Sequence, residues 1–253
     1  MAISRQSLLD FLGQTLEPQL FKDYCPNGLQ VEGKDQIKTI VTGVTASLAL
    51  IEAAIEKSAD AIIVHHGYFW KGEAPVITGM KKRRLELLFK HEINLFAYHL
   101  PLDAHPVLGN NVQLANQLNF IPETGLEQDN LRSIGLVGSL AEALSLSKLG
   151  EQIQVTLGRE PLLISGGDQP IKRIAWCTGA AQGFIDQAIT HGVDAYLTGE
   201  ISEPTVHTAR EMGVHFIAAG HHATERYGVK ALGEHIQQQL GINHYFIDID
   251  NPV

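Results

Sequence analysis

The sequence predicts an α/β fold built as two related α/β halves, each a mixed sheet flanked by helices. Three observations carry this. Short Val- and Ile-rich stretches alternate with amphipathic stretches of helical length, as in Thr39–Val44, Ser47–Lys57 and Asp60–Val64. The pattern restarts after the Gly166-Gly167-Asp168 turn: residues 37–66 and 171–200 align without a gap at an offset of 134, with nine of thirty positions identical, among them Ile40/Ile174, Asp60/Asp194 and Ala61/Ala195. The following strand recurs too, Ile93–Tyr98 against Val214–Ala219. Several shared residues are apolar ones that any β-α-β unit carries, so part of the match is common architecture.

Taken in order, Ser7–Leu20 opens as an amphipathic helix ending near Pro18, and Asp23-Tyr24-Cys25-Pro26-Asn27-Gly28 carries Pro and Asn-Gly turn signals. Strand 39–44, helix 47–57 and strand 60–64 lead into a loop at His65-His66-Gly67. Lys81–His91 reads as a helix with a solvated basic start, Ile93–Tyr98 as a strand and Gly109–Leu118 as a helix. In the middle, a strand at Ile134–Val137, a helix near Ser147–Leu157 and a strand at Pro161–Ile164 precede the repeat. The second half then gives strands from Ile171, at Ala195–Leu197 and at Phe216–Ala219, and a helix starting near Gly220. The halves divide as 1–125 and 126–253, with a C-terminal strand that can pack back on the first.

The 253 residues carry 19 Lys and Arg against 28 Asp and Glu, a net charge of −9. That balance disfavours nucleic acid as a partner, because a duplex binder needs a cationic field. Acidic residues interrupt every long apolar stretch, which rules out a membrane-spanning segment. No signal peptide is visible, so the expected location is cytoplasmic. Cys25 and Cys177 give neither a disulfide framework nor a CxxC zinc site. No Gly-x-Ser-x-Gly elbow supports a serine hydrolase, and the glycines of Thr42-Gly43-Val44-Thr45 and Cys177-Thr178-Gly179 lack Walker or dinucleotide spacing.

Histidine is what the composition supplies in excess: 12 residues, with adjacent pairs at His65-His66 and His221-His222. In open α/β sheets ligand groups gather at the carboxyl ends of strands. Four such ends are expected here, at His65-His66, at Tyr98 to Asp103, at Thr198-Gly199-Glu200 and at Gly220 to Glu225, and each carries His, Asp or Glu. His221 and Glu225, four apart, share a helix face. Together His65, His66, Asp103, His221 and Glu225 form a nitrogen and oxygen donor set without sulfur, more than one tetrahedral ion uses, which suits two divalent ions sharing bridging groups. Zn, Mn, Fe, Co or Ni would each accept such donors. The alternative is that they are ordinary loop residues. His99 and Glu200 are candidates to hold the ligands from behind, and His222, turned about 100° around the helix from His221, to face substrate or solvent.

The ordered motifs Asn27-Gly28-Leu29-Gln30-Val31-Glu32-Gly33, Ile63-Val64-His65-His66-Gly67, His99-Leu100-Pro101-Leu102-Asp103, Leu197-Thr198-Gly199-Glu200 and Gly220-His221-His222-Ala223-Thr224-Glu225 resemble the GTP cyclohydrolase I type 2 (Nif-three-like) family, in its short bacterial branch. The resemblance runs essentially the full length. It implies a dinuclear metal site between the halves, with His65, His66, Asp103, His221 and Glu225 as ligands, and a ring-shaped homohexamer. It also implies a metal-dependent hydrolase of a nucleotide or purine derivative, with ring opening of GTP as the candidate reaction, a metal-bound water as nucleophile and Glu225 available to handle protons. A phosphoester hydrolase of nucleotides, or a non-catalytic metal-holding hexamer, are the alternatives the same residues leave open.

Overall fold

In a computed structural model of the chain, residues 2–127, 130 and 132–253 are described. They group into two compact units: residues 2–102 with 229–250, and residues 103–228 with 251–253. Residues 103–125, grouped with the first half by sequence, belong to the second unit. The reason is packing: Leu114, Ala115 and Leu118 of the helix Asn110–Leu118 join a core cluster with Ile171, Ile174 and Trp176.

The first unit holds a five-stranded sheet. Strands Asn243–Phe246, Thr39–Thr45, Ala61–His66 and Asn94–Ala97 run parallel in that order, and Gly28–Val31 closes one edge antiparallel to the last. Period-two alternation sends Val41, Ile62, Val64 and Leu95 to one face, where they meet Leu50, Ile51 and Ala54 of the helix Leu48–Glu56 and Leu85 and Leu88 of the helix Gly79–Lys90. The N-terminal helix Arg5–Leu16 is capped by Ser4, whose hydroxyl accepts from the Ser7 N–H. It stops short of Pro18, which opens a separate 3-10 turn to Leu20.

In the second unit a six-stranded sheet has three central parallel strands, Ile171–Trp176, Ala195–Thr198 and His215–Ala218. Antiparallel strands flank them: Leu136–Leu144 and then Ile121–Gly125 on one side, Leu162–Ile164 on the other. Ile174 and Trp176 face one core cluster while Ala175 and Cys177 face another, the strand alternation again sorting the side chains. The antiparallel pair Ile121–Gly125 and Leu136–Leu144 is longer than its sequence signal, since Ile121–Gly125 is mostly exposed and lacks an apolar pattern.

The two units carry the same internal bonding. Asp60 Oδ2 accepts from the backbone N–H groups of Lys38 and Thr39 at 2.6 and 2.9 Å. Its counterpart Asp194 Oδ2 accepts from Lys172 and Arg173 at 2.9 and 2.8 Å. The Asp60 and Asp194 carbonyls then receive Asn94 N and His215 N, which stand at matching places in the next strand. The left-handed residue before each strand also recurs: Ser58 and Gly192, then Glu92 and Gly213. Among the described residues no helix is long and apolar enough to cross a membrane.

Candidate metal centre

In the first unit the strand Ala61–His66 carries both histidines itself. The ladder continues to the pair Thr45 and His66, so His65-His66 is strand rather than loop. The ladder to Asn94–Ala97 has ended at Val64, and the two rings lie 4.5 Å apart by centroid instead of being held on opposite faces. His65 is fully buried, and its Nδ1 donates to the Tyr98 carbonyl at 3.1 Å, which turns Nε2 outward from the strand end. His66 Nδ1 lies 3.2 Å from the Thr45 hydroxyl.

His99 joins them, its ring 5.0 Å from that of His65 and 5.8 Å from that of His66. One donor atom from each of the three histidines falls within 4.8 Å of the others. Behind His99 stands Asp23, whose carboxylate receives His99 Nδ1 at 2.7 Å, Asn27 Nδ2 at 2.8 Å and the Leu100 N–H at 2.9 Å. Burial works to raise the Asp23 pKa, but the bonds from His99 and Asn27 and the His99 charge hold it down at about 2. Nearby Cys25 is the opposite case: burial, with the Asp23 charge, pushes its thiol up to about 12.

The second unit presents Asp103, His221 and Glu225. Asp103 lies on a short helix, Leu100–Ala104, where the sequence suggested a loop. Its Oδ1 receives Asn110 Nδ2 at 2.8 Å and the Thr178 hydroxyl at 3.3 Å. Asn111 braces the same corner, with Oδ1 accepting from Thr178 N at 3.1 Å. His221 opens the helix His221–Leu240, and its Nε2 lies 3.2 Å from Glu225 Oε2, as the four-residue spacing requires. Glu200 takes the other imidazole nitrogen, Nδ1, at 2.7 Å. Carboxylate oxygens of Asp103 and Glu225 lie within 4.8 Å of each other. His222, largely buried, donates its backbone N–H to the Val253 carbonyl.

This arrangement fits a divalent cation. Burial works to lower the His221 pKa, but the Glu225 and Glu200 carboxylates raise it to about 9, and a bound cation would answer the same negative field that the proton does. Gly179 leaves room for it: at φ +71°, a Cβ there would collide with Glu225 Oε1 and stand 3.2 Å from His221 Nε2. The donors are imidazole and carboxylate, and three of the imidazoles, His65, His99 and His221, are steered by a carbonyl or carboxylate on the far nitrogen, as in metal sites generally.

Asp23, Asn110, Asn111 and Thr178 escaped the sequence reading. A usable signal existed for the asparagines: both sit on the buried, otherwise apolar side of the helix 110–118. An unpaired buried amide there would be costly.

The chain resembles known proteins over its whole length. The family model Duf34/NIF3 (NGG1p interacting factor 3) matches residues 3–252. A protein of Pseudomonas aeruginosa named GTP cyclohydrolase 1 type 2 homolog is 60% identical over 252 residues, covering all of both chains. Among solved structures, protein ybgI is 49% identical with a TM-score of 0.96, over 99% of this chain and 100% of that one. The protein TTHA1606 from Thermus thermophilus is 34% identical with a TM-score of 0.89, over the same shares. The mixed α/β units, the histidine and carboxylate groups at their strand ends and the full-length match lead to one statement: the chain belongs to the DUF34/NIF3 family.

Proposed function

We propose that the protein is a dinuclear metal-dependent hydrolase of a nucleotide or purine derivative, with GTP ring opening as the leading reaction. The observation that carries this is the donor chemistry at the strand ends: imidazoles of His65 and His66 in one unit, and Asp103, His221 and Glu225 in the other. These imidazole and carboxylate donors, without sulfur, are of the kinds that divalent ions accept. The name borne by relatives at more than half identity, GTP cyclohydrolase 1 type 2 homolog, supports the purine assignment.

When bound, such ions lower the pKa of coordinated water towards neutrality and polarise the atom it attacks. The chain's own residues prepare the site. Tyr98 and Glu200 fix the His65 and His221 rings, Asn110 and Thr178 orient the Asp103 carboxylate, and Glu225, 3% exposed, is placed to accept and return a proton at Oε2. His99, fixed by Asp23, stands ready as a further donor or as a hydrogen-bonding group for substrate. A homohexamer in the cytoplasm belongs to the same proposal, supported by exposed apolar side chains such as Phe89, Val107 and Val155 that assembly would cover.

The test is a metal-reconstituted preparation incubated with a nucleotide panel, reading formate and phosphate separately. Formate release from GTP supports ring opening. Phosphate alone transfers the assignment to phosphoester hydrolysis, and neither product with any nucleotide refutes the enzyme.

A further inference from the structure

Two aromatic side chains touch the histidine cluster of the first unit without serving as donors. The Trp70 ring lies 5.0 Å from His99 and 5.9 Å from His66, and the Tyr24 ring lies 6.4 Å from His99. Tyr24 is 62% exposed, an unusual place for a large aromatic unless its face is used. Trp70 keeps part of its surface open. The Lys71 N–H donates to the Tyr24 carbonyl at 2.7 Å, tying the two loops together beside the cluster.

The Trp70 loop is held in a costly conformation. Phe69 has φ +65°, a left-handed backbone that bulky residues avoid. Gln30 clamps the residue before it, its Oε1 accepting from Tyr68 N at 2.7 Å and its Nε2 donating to Tyr68 O at 3.1 Å. Gly67 permits that approach, since a Cβ there would collide with Gln30 Oε1. Trp70 Nε1 donates to Gly67 O, and the Trp70 N–H is taken by Glu73, which Lys81 pairs at 3.2 Å. A flexible surface loop needs none of these restraints. They fix where an indole ring stands relative to His66 and His99.

We propose that Tyr24 and Trp70 form a stacking platform for a flat heteroaromatic ring of the ligand, beside His65, His66 and His99. This rests on the reading of the site as one that handles a nucleotide or purine derivative, and it names the residues that recognise the base. Aromatic faces suit this task because every base offers a π-face, and stacking tolerates differences in ring substituents. The platform therefore supplies affinity for the ring, while donors elsewhere distinguish one base from another.

Tryptophan emission and calorimetry test it on the full-length, zinc-loaded chain, with guanosine monophosphate as the probe and ribose 5-phosphate as its base-free control. Trp70 and Trp176 are the two tryptophans, and Trp176 is fully buried with its Nε1 bonded to Asn111 O. Guanosine monophosphate should quench wild-type emission and ribose 5-phosphate should not. Tyr24→Ala and Trp70→Ala should each weaken the nucleotide roughly five- to hundredfold. Both should leave ribose 5-phosphate affinity and bound zinc unchanged, and Trp70→Phe should retain most of the affinity. Absence of quenching in the wild type overturns the proposal, as does unchanged nucleotide affinity in either alanine variant. Equal weakening of the base-free control, or zinc loss in Tyr24→Ala, assigns the rings a structural role instead and also overturns it. Trp70-dependent binding without formate or phosphate release refutes the hydrolase and leaves the platform standing. Turnover at unchanged KM in Tyr24→Ala refutes the platform and leaves the hydrolase.

Discussion

Gly179→Ala separates the geometry of the candidate metal centre from ordinary backbone strain. The residue sits at φ +71°, where an alanine costs about 1–2 kcal/mol for its left-handed backbone alone. Its new methyl would also overlap Glu225 Oε1 and crowd His221 Nε2 at 3.2 Å. Glu225 must then leave its rotamer, at a further cost of about 0.5–1.5 kcal/mol, so the expected destabilisation is about 2–3 kcal/mol. Gly192 is the control. It has φ +64°, and a Cβ there meets nothing within 4 Å, so Gly192→Ala incurs the backbone strain without the collision.

Urea unfolding and elemental analysis of the two variants, side by side, read both effects. Gly192→Ala should lose about 1–2 kcal/mol and bind metal as the wild type does. Gly179→Ala should lose about 1 kcal/mol more than the control and most of its metal, because the Glu225 carboxylate and the His221 imidazole no longer converge. Equal metal content in the two variants would refute the claim that Gly179 is the space the cation site depends on.

Asp60→Ala should destabilise by about 2–4 kcal/mol, because the N–H groups of Lys38 and Thr39 lose their acceptor and Lys34 its partner; an unchanged urea midpoint would show that the clamp contributes nothing. A pH effect follows from His244, whose Nε2 lies 2.8 Å from the Thr42 hydroxyl and whose pKa burial, with the Lys230 charge, lowers to about 4. The folded state resists protonation there, so the contribution is full above the ordinary value of 6.5 and is lost as pH falls through about 4. Wild-type stability should therefore fall across that window more steeply than that of His244→Gln, and parallel pH profiles would contradict this. Light scattering should return about six times the 27.7 kDa chain mass at micromolar concentration, and a single-chain mass would refute the hexamer.

Most of the fold was legible because alternation and repetition are local signals. Asp60 and Asp194 are among the residues the two repeats share, and both do the same work on the backbone of their own units. The exposed edge strand Ile121–Gly125 was not legible, since it carries no buried face to imprint an apolar period. At the site, the His221 and Glu225 spacing could be read because a helix converts separation directly into proximity. Asp23 could not: it reaches His99 across 76 residues through loop geometry that no local pattern encodes. The grouping of residues 103–125 with the second unit is tertiary for the same reason, decided by which core Leu114 and Leu118 fill.

Whether the strand-end donors hold two ions is decided by the metal-to-chain ratio of His221→Ala and His222→Ala, measured by elemental analysis after reconstitution and set against the wild type. His221 is bonded to both Glu200 and Glu225, while the backbone bond of His222 to Val253 does not depend on its ring. The wild type should hold about two ions per chain, His222→Ala the same, and His221→Ala well under half of that. A wild type that never exceeds one ion, or a His222→Ala variant that empties while His221→Ala stays full, would contradict it.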